Sequence, residues 1–375
     1  METVLCGVQH VAPDKAEIGY DRVLDGPVDY FTRPELSPHE WDRENAGRVA
    51  AYLREEHVRP FFLSYGLLTT HRPYPEVPEE VPERGYHEPP PPVPDTPQTR
   101  YDTERFLTGL SVVDDAVGVV LDAVREAGLW EDTVILLTTD HGPAFPEMKS
   151  TLKDTGTGVS LLLRIPGSAD DGRVEQALVS QLDLYPTMVE FAGAAGTTAG
   201  TAGGAASTAR AASTAGAASG AVSGTEGRSL LPLLRGEVEQ VRSEVFSEVT
   251  YHATYEPARA VRTARYKLIR HFGPYSAPRP ANVDDSPGKE TLGDAGYFDI
   301  PKPRDELFDL LVDPSERMNF AAERAYRGIY DELSAVLDRW MRETNDPLRA
   351  GPVPRPEGAV MNREDAWSPQ EPTDE

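Results

Sequence analysis

Thr133-Val134-Ile135-Leu136-Leu137-Thr138-Thr139-Asp140-His141-Gly142 is an unbroken β-branched and aliphatic run that stops on a carboxylate, an imidazole and a glycine. Such a run predicts a strand buried on both faces, as in a parallel sheet. Open α/β sheets bind ligands at the C-terminal ends of their strands, so Asp140 and His141 are placed to hold a divalent cation. Taken alone, the tripeptide reads equally well as a turn with a capping aspartate.

The flanking sequence continues the pattern. Phe106, Leu110, Val113, Val117, Val120, Leu121 and Val124 recur at helical spacing, and Gly128 stops that helix. Val159 to Ile165 predicts a second buried strand, and Gln181 to Phe191 a helix closed by Gly193. Upstream, Val4-Leu5-Cys6-Gly7-Val8 and Pro60-Phe61-Phe62-Leu63-Ser64-Tyr65 predict two more strands. The second runs into Thr69-Thr70-His71-Arg72-Pro73-Tyr74, after which residues 75–97 are proline-rich and acidic and predict an extended surface loop. Helices alternating with buried strands predict an α/β domain with a mostly parallel sheet flanked by helices over residues 1–193.

Residues 194–227 are almost wholly Ala, Gly, Ser and Thr, the composition of a disordered linker or loop insertion. Residues 228–345 predict a smaller C-terminal α+β subdomain. It has an antiparallel hairpin at Ala258–Arg262 and Tyr266–Arg270, a short strand at Glu306–Leu310 and an amphipathic helix over Ala322–Glu343. Residues 346–375 form a polar tail.

Acidic residues outnumber basic ones 62 to 37, for a formal net charge of -25. That balance argues against nucleic acid and anionic membranes as partners, because binding either needs a positive footprint. Molar salt screens such self-repulsion to about 3 Å, which points to a salt-loving source. The one cysteine, Cys6, allows neither an internal disulfide nor a thiolate metal cluster. No apolar run is long enough to span a bilayer, and the first residues lack the form of a signal peptide; a cytoplasmic location is expected.

Three further residues carry chemistry that a site beside Asp140 could use. Lys149 lies on the following loop and could meet a negative substrate oxygen, although a lone loop lysine is ordinarily just solvated. His71 follows the Phe61–Tyr65 strand, and His10 follows the first strand.

In their order along the chain these segments resemble the sulfatases of the alkaline phosphatase superfamily. Gly7-Val8-Gln9-His10 is similar to that family's G-K-x-H segment, and the strand ending in Thr70-His71-Arg72-Pro73 to its P-H-x-P segment. Asp114, Gly118, Gly128, Asp132-Thr133 and Thr139-Asp140-His141-Gly142 are similar to its helix, strand and D-[NH]-G metal motif. Asp183-Leu184-Tyr185-Pro186-Thr187 is similar to the D-x-x-P-T helix. Glu306-Leu307-Phe308-Asp309-Leu310 with Asp313-Pro314, Glu316 and Asn319 is similar to the C-terminal E-L-Y-D-L…D-P-x-E-x-N signature. The short Asp140–Lys149 spacing and the Thr-His-Arg-Pro form are most similar to the sulfamidase, or heparan N-sulfatase-like, branch.

The resemblance implies a metal-dependent hydrolase of sulfuric esters or sulfamates with an alkaline phosphatase-like fold. It implies Asp140 and His141 as ligands of one Ca2+ (or Mg2+ or Mn2+) ion. It implies His10, His71 and Lys149 as the groups that neutralise the sulfate, and a sulfated small molecule or sugar as substrate. The family's paired N-terminal aspartates and C-x-P-S-R nucleophile find no counterpart here, since Cys6 is followed by Gly-Val-Gln, and the G-K-x-H lysine is Val8. We therefore expect an N-terminally truncated chain whose missing part lies upstream or is a separately encoded N-terminal segment, and a metal only weakly held. A phosphodiesterase or phosphonate hydrolase of the same superfamily, and a non-catalytic remnant, are the alternative readings.

Overall fold

In a computed structural model, the structure describes residues 1–26, 30, 36–79, 85–168, 172–193, 226–273 and 277–371, with the backbone of 373–374. Most of the expected linker, residues 194–225, lies outside the described residues. In chain order the main elements begin with β1 (Glu2–Gly7), β2 (Arg22–Val23), α1 (Pro38–Leu53), β3 (Phe61–Gly66), α2 (Pro97–Glu126) and β4 (Ile135–Thr138). There follow α3 (Asp154–Thr157), β5 (Leu161–Arg164), α4 (Leu184–Phe191), α5 (Leu231–Leu234), β6 (Val245–Tyr251), β7 (Tyr255–Arg262) and β8 (Tyr266–His271). The chain continues through α6 (Pro287–Asp294), β9 (Asp305–Asp309) and α7 (Arg327–Glu343). Two compact units result. One comprises Met1–Asp171, Arg279–Asp299 and Asn362–Pro372, and the other Gly172–Pro278, Ile300–Met361 and Thr373–Glu375. The expected division at residue 193 differs from this one in three places: residues 172–193 fall in the second unit, and residues 279–299 and 362–372 return to the first.

In the first unit β1 is the centre of a three-stranded parallel sheet of order β2-β1-β3. Val4 and Cys6 on β1 meet Val49, Ala50, Tyr52 and Leu53 of α1 and Ala123 and Val124 of α2 in one core. Full burial of each aliphatic side chain there contributes roughly 1.5–3 kcal/mol. Local signals set the helix starts. Ser37 and Glu40 form a reciprocal capping box with Pro38 in the first turn of α1. Thr96 and Thr99 do the same for α2 with Pro97. Helix α2 therefore begins in what reads as the end of the proline-rich loop, because proline and a threonine cap favour a helix start.

Strands β4 and β5 depart from expectation. They pair antiparallel, from Ile135↔Arg164 to Thr138↔Leu161, rather than joining the parallel sheet. The link between them, residues 139–160, carries only the four-residue α3 and no helix long enough to form the usual helical crossover. Both strands are half-buried or exposed, and Leu162 is 62% exposed, where burial on both faces was expected.

The second unit holds the antiparallel sheet β6-β7-β8-β9, which includes the expected hairpin and short strand. Leu333, Leu337 and Met341 recur every four residues on α7 and pack on Val261, Leu268 and Leu307 of that sheet. Helix α7 begins at Arg327, five residues later than its apolar pattern suggests, because Glu323 is extended and Arg324–Tyr326 form a 3-10 turn.

Candidate functional site

Asp140, His141 and Gly142 follow the end of β4. The Asp140 side chain is 83% exposed; Oδ1 accepts a hydrogen bond from the His141 amide at 2.9 Å, and Oδ2 lies 3.5 Å from His141 Nε2. His141 Nδ1 lies 2.7 Å from its neighbour's carbonyl, Gly142 O. The turn needs glycine at its third position. A Cβ at Gly142 would stand 1.8 Å from the carbonyl oxygen of Thr155, because the loop after the turn folds back on it. The Gly142 amide donates to Gly156 O at 2.9 Å and holds the two segments together.

The next residues form a second apolar core, in which Ala144, Phe145 and Met148 pack with Tyr74, Val93 and Phe106. This core seats the loop that carries His71 against the loop that carries Lys149. Arg72 fastens them. Its Nε donates to Ala144 O at 3.0 Å, and its two terminal nitrogens grip Asp102 on α2 at 2.8 and 2.6 Å. The guanidinium also stacks over Tyr74 at 4.3 Å. A bidentate, largely buried guanidinium–carboxylate pair fixes direction as well as distance. In the sequence Arg72 has no role beyond its place in Thr70-His71-Arg72-Pro73, and Asp102 none, because their pairing across 30 residues leaves no local signal.

Asp42 on α1 anchors the start of the His71 segment. Its carboxylate is fully buried and accepts from the Leu68 amide at 2.9 Å, the Thr69 amide at 2.7 Å and the Thr69 hydroxyl. His71 is half-buried, and its Nδ1 lies 2.7 Å from Arg72 O. Because β1 and β3 run parallel and end together at Gly7↔Gly66, the segments carrying His10 and His71 leave the sheet at the same, C-terminal end of the strands. His10 is exposed three residues past the end of β1.

Lys149 is not the solvated loop lysine its sequence context suggests. Its side chain is 11% exposed and its Nζ lies 3.0 Å from Asp284 Oδ2. Asp284 comes from the segment that returns to the first unit at Arg279, and Lys289 of α6 pairs in the same stretch with Asp285 at 2.8 Å. A carboxylate some 135 residues downstream leaves no local signal.

Among the described residues no group of three or more His, Cys, Asp or Glu side chains is placed to hold a metal ion. Asp140 and His141 offer two donors where a hard dication takes six to eight oxygens, so the residues present do not make a complete site. Cys6 is buried and free, and burial pushes its thiol up to about 12.

The family model described as Sulfatase matches residues 2–194. The human N-sulphoglucosamine sulphohydrolase is 29% identical over 295 residues, covering 74% of this chain and 54% of that protein. An ulvan-active sulfatase of Formosa agariphila is 25% identical, covering 73% and 43%. The chain thus spans about half the length of the curated relatives it matches. In fold it is similar to a 2-O GAG sulfatase (TM-score 0.59, 21% identity, 93% of this chain and 73% of that one). It is also similar in fold to the phosphonate monoester hydrolase of Agrobacterium radiobacter (TM-score 0.57, 16% identity, 97% and 80%).

Proposed function

Because the chain belongs to the sulfatase family, we propose that it is the part of a sulfuric ester or sulfamate hydrolase that binds and orients the anionic group of a sulfated sugar. The observation that carries this is the Arg72 strut, which joins the His71 segment to the loop running from Asp140 to Lys149. Lys149 supplies a fixed positive charge for a sulfate oxygen, and His71 and His10 donate to the same group. Enzymes of this family use a divalent metal ion. Among the described residues, Asp140 and His141 are the two groups that would contribute to holding one, and by themselves they make only a partial donor set. Nor does Cys6, buried and with its thiol held protonated, serve as the attacking group.

Sulfated sugars are favoured as the substrate class by the curated relatives, which include the N-sulphoglucosamine and ulvan enzymes. The phosphonate reading rests on likeness of fold alone. The test is a binding titration of the full chain, in calcium, with glucosamine N-sulfate and with phenylphosphonate, repeated with Asp140→Ala and Lys149→Ala. Tighter binding of the sulfamate, weakened in both variants, is expected. Equal binding by wild type and both variants would remove these residues from the site, and a preference for the phosphonate would move the chain to the alternative class.

A further inference from the structure

The sheet and helix of the second unit end in a feature that the proposed hydrolase does not use. Where β8 gives way to Phe272 and the chain re-enters at Arg304 to form β9, the last turns of α7 line an open surface cleft of about 160 Å³. Four arginines from four segments line it: Arg270 on β8, Arg304 before β9, Arg342 in the last turn of α7, and Arg349 in the following 3-10 turn. Phe272 and Met341 supply its apolar walls.

The four arginines are not equivalent. Arg270 is 7% exposed and spent within the fold: Nε donates to Asp305 at 2.7 Å and the terminal nitrogens to Asp338 and Ser334 at 2.8 and 2.7 Å. It is a rigid charged wall. Arg304, Arg342 and Arg349 are exposed, and among the described residues no carboxylate pairs with any of them. Asp338, already bonded to Arg270, is the one acidic residue among the described residues that line the cleft. In a chain of net charge -25, the cleft is a local reversal of sign.

A positive residue in the last turn of a helix is favoured by the helix dipole, which accounts for Arg342. It does not account for Arg304 and Arg349, which reach the cleft from other segments. Like charges brought together repel, and the arrangement is relieved by an anion that all three can reach. Planar guanidinium forks match tetrahedral oxyanions by paired N–H donors. The size sets the ligand: pockets for drug-sized molecules run from about 300 Å³, so this cleft takes one anionic group and at most the edge of one sugar ring.

We infer that this cleft is a second anion site, one that binds a tetrahedral oxyanion through Arg304, Arg342 and Arg349. The ion is either free sulfate or the sulfate group of a saccharide, and only the second source rests on the function proposed above.

The experiment is a calorimetric titration of the full chain with sodium sulfate and with glucosamine N-sulfate, at constant ionic strength set by chloride. The proteins are wild type, the Arg304→Ala/Arg342→Ala/Arg349→Ala variant, Lys149→Ala, and Arg339→Ala as a control on the same helix outside the cleft. The triple variant is expected to lose a binding event that Lys149→Ala and Arg339→Ala retain, with affinity at that site at least about tenfold weaker. Stronger binding of glucosamine N-sulfate than of sulfate at that site identifies the saccharide as source, and the reverse identifies the free ion. A triple variant that melts like wild type and binds both probes unchanged would overturn the inference. So would a signal that chloride alone reproduces. Loss of sulfate binding in Lys149→Ala alone, with the triple variant unaffected, leaves the proposed function standing and removes the second site.

Discussion

Lys149 Nζ lies 3.0 Å from Asp284 Oδ2, an ion pair that joins positions 135 residues apart. It holds the lysine in one place and at the same time competes with any anion for its charge. Lys149→Ala is therefore expected to weaken binding of inorganic sulfate by about tenfold, the size of one charge-assisted hydrogen bond. Asp284→Ala is expected to act in the opposite direction and tighten it, since a neutralising carboxylate is removed. Weaker binding in both variants, measured by calorimetry, would show that Asp284 positions the lysine more than it masks it.

Asp42 satisfies two backbone amides and a hydroxyl from inside the core of the first unit. Asp42→Ala leaves those donors buried and unpaired, at a cost of about 2–4 kcal/mol in a denaturant titration. Hydrogen exchange is expected to speed up first at the Leu68 and Thr69 amides. Exchange unchanged there would mean that the loop carrying His71 is held by Arg72 alone.

Gly142 has no room for a side chain beside Thr155 O. Gly142→Ala is expected to lower stability by about 1–3 kcal/mol, the usual range for overpacking. The same change should displace the Asp140–His141 turn, visible as shifted His141 imidazole resonances. A variant with native stability and native His141 signals would place slack where the backbone shows contact.

Burial holds the Cys6 thiol at about 12, so at pH 8 it carries almost no thiolate. Its reaction with a disulfide reagent is expected to be at least roughly a hundredfold slower in the native protein than in denaturant. Because the raised thiol is protonated across the physiological range, the native rate should stay low up to about pH 9. Rapid labelling of the native protein at pH 8 would contradict the packing of β1.

Asp309 is the acidic end of β9, and Arg265 grips it with two bonds of 2.9 and 2.7 Å, which holds its carboxyl below the ordinary aspartate range. A depressed value means that the folded state favours the ionised form. The stabilisation is thus complete above the ordinary aspartate range and is lost as pH falls through the lower folded value. Asp309→Asn should be less stable than wild type at pH 7 and show a flatter acid limb. Parallel acid limbs would assign that limb to other carboxylates.

What could be read from the order of residues was local. The apolar stripe of α7, the 258–270 hairpin and the Asp140-His141-Gly142 turn all act within a few residues, so their signals lie in short windows. The sulfatase resemblance is likewise carried by short motifs in a set order. Tertiary structure alone decided that β4 and β5 pair antiparallel, that Asp284 reaches Lys149, that Arg72 ties two loops together, and that Arg304, Arg342 and Arg349 converge. The physical reason is common to all four. A side chain's type sets which bond it can make, but a partner across tens of residues is chosen by which surfaces the packed core brings within about 3 Å, and no periodicity along the chain records that.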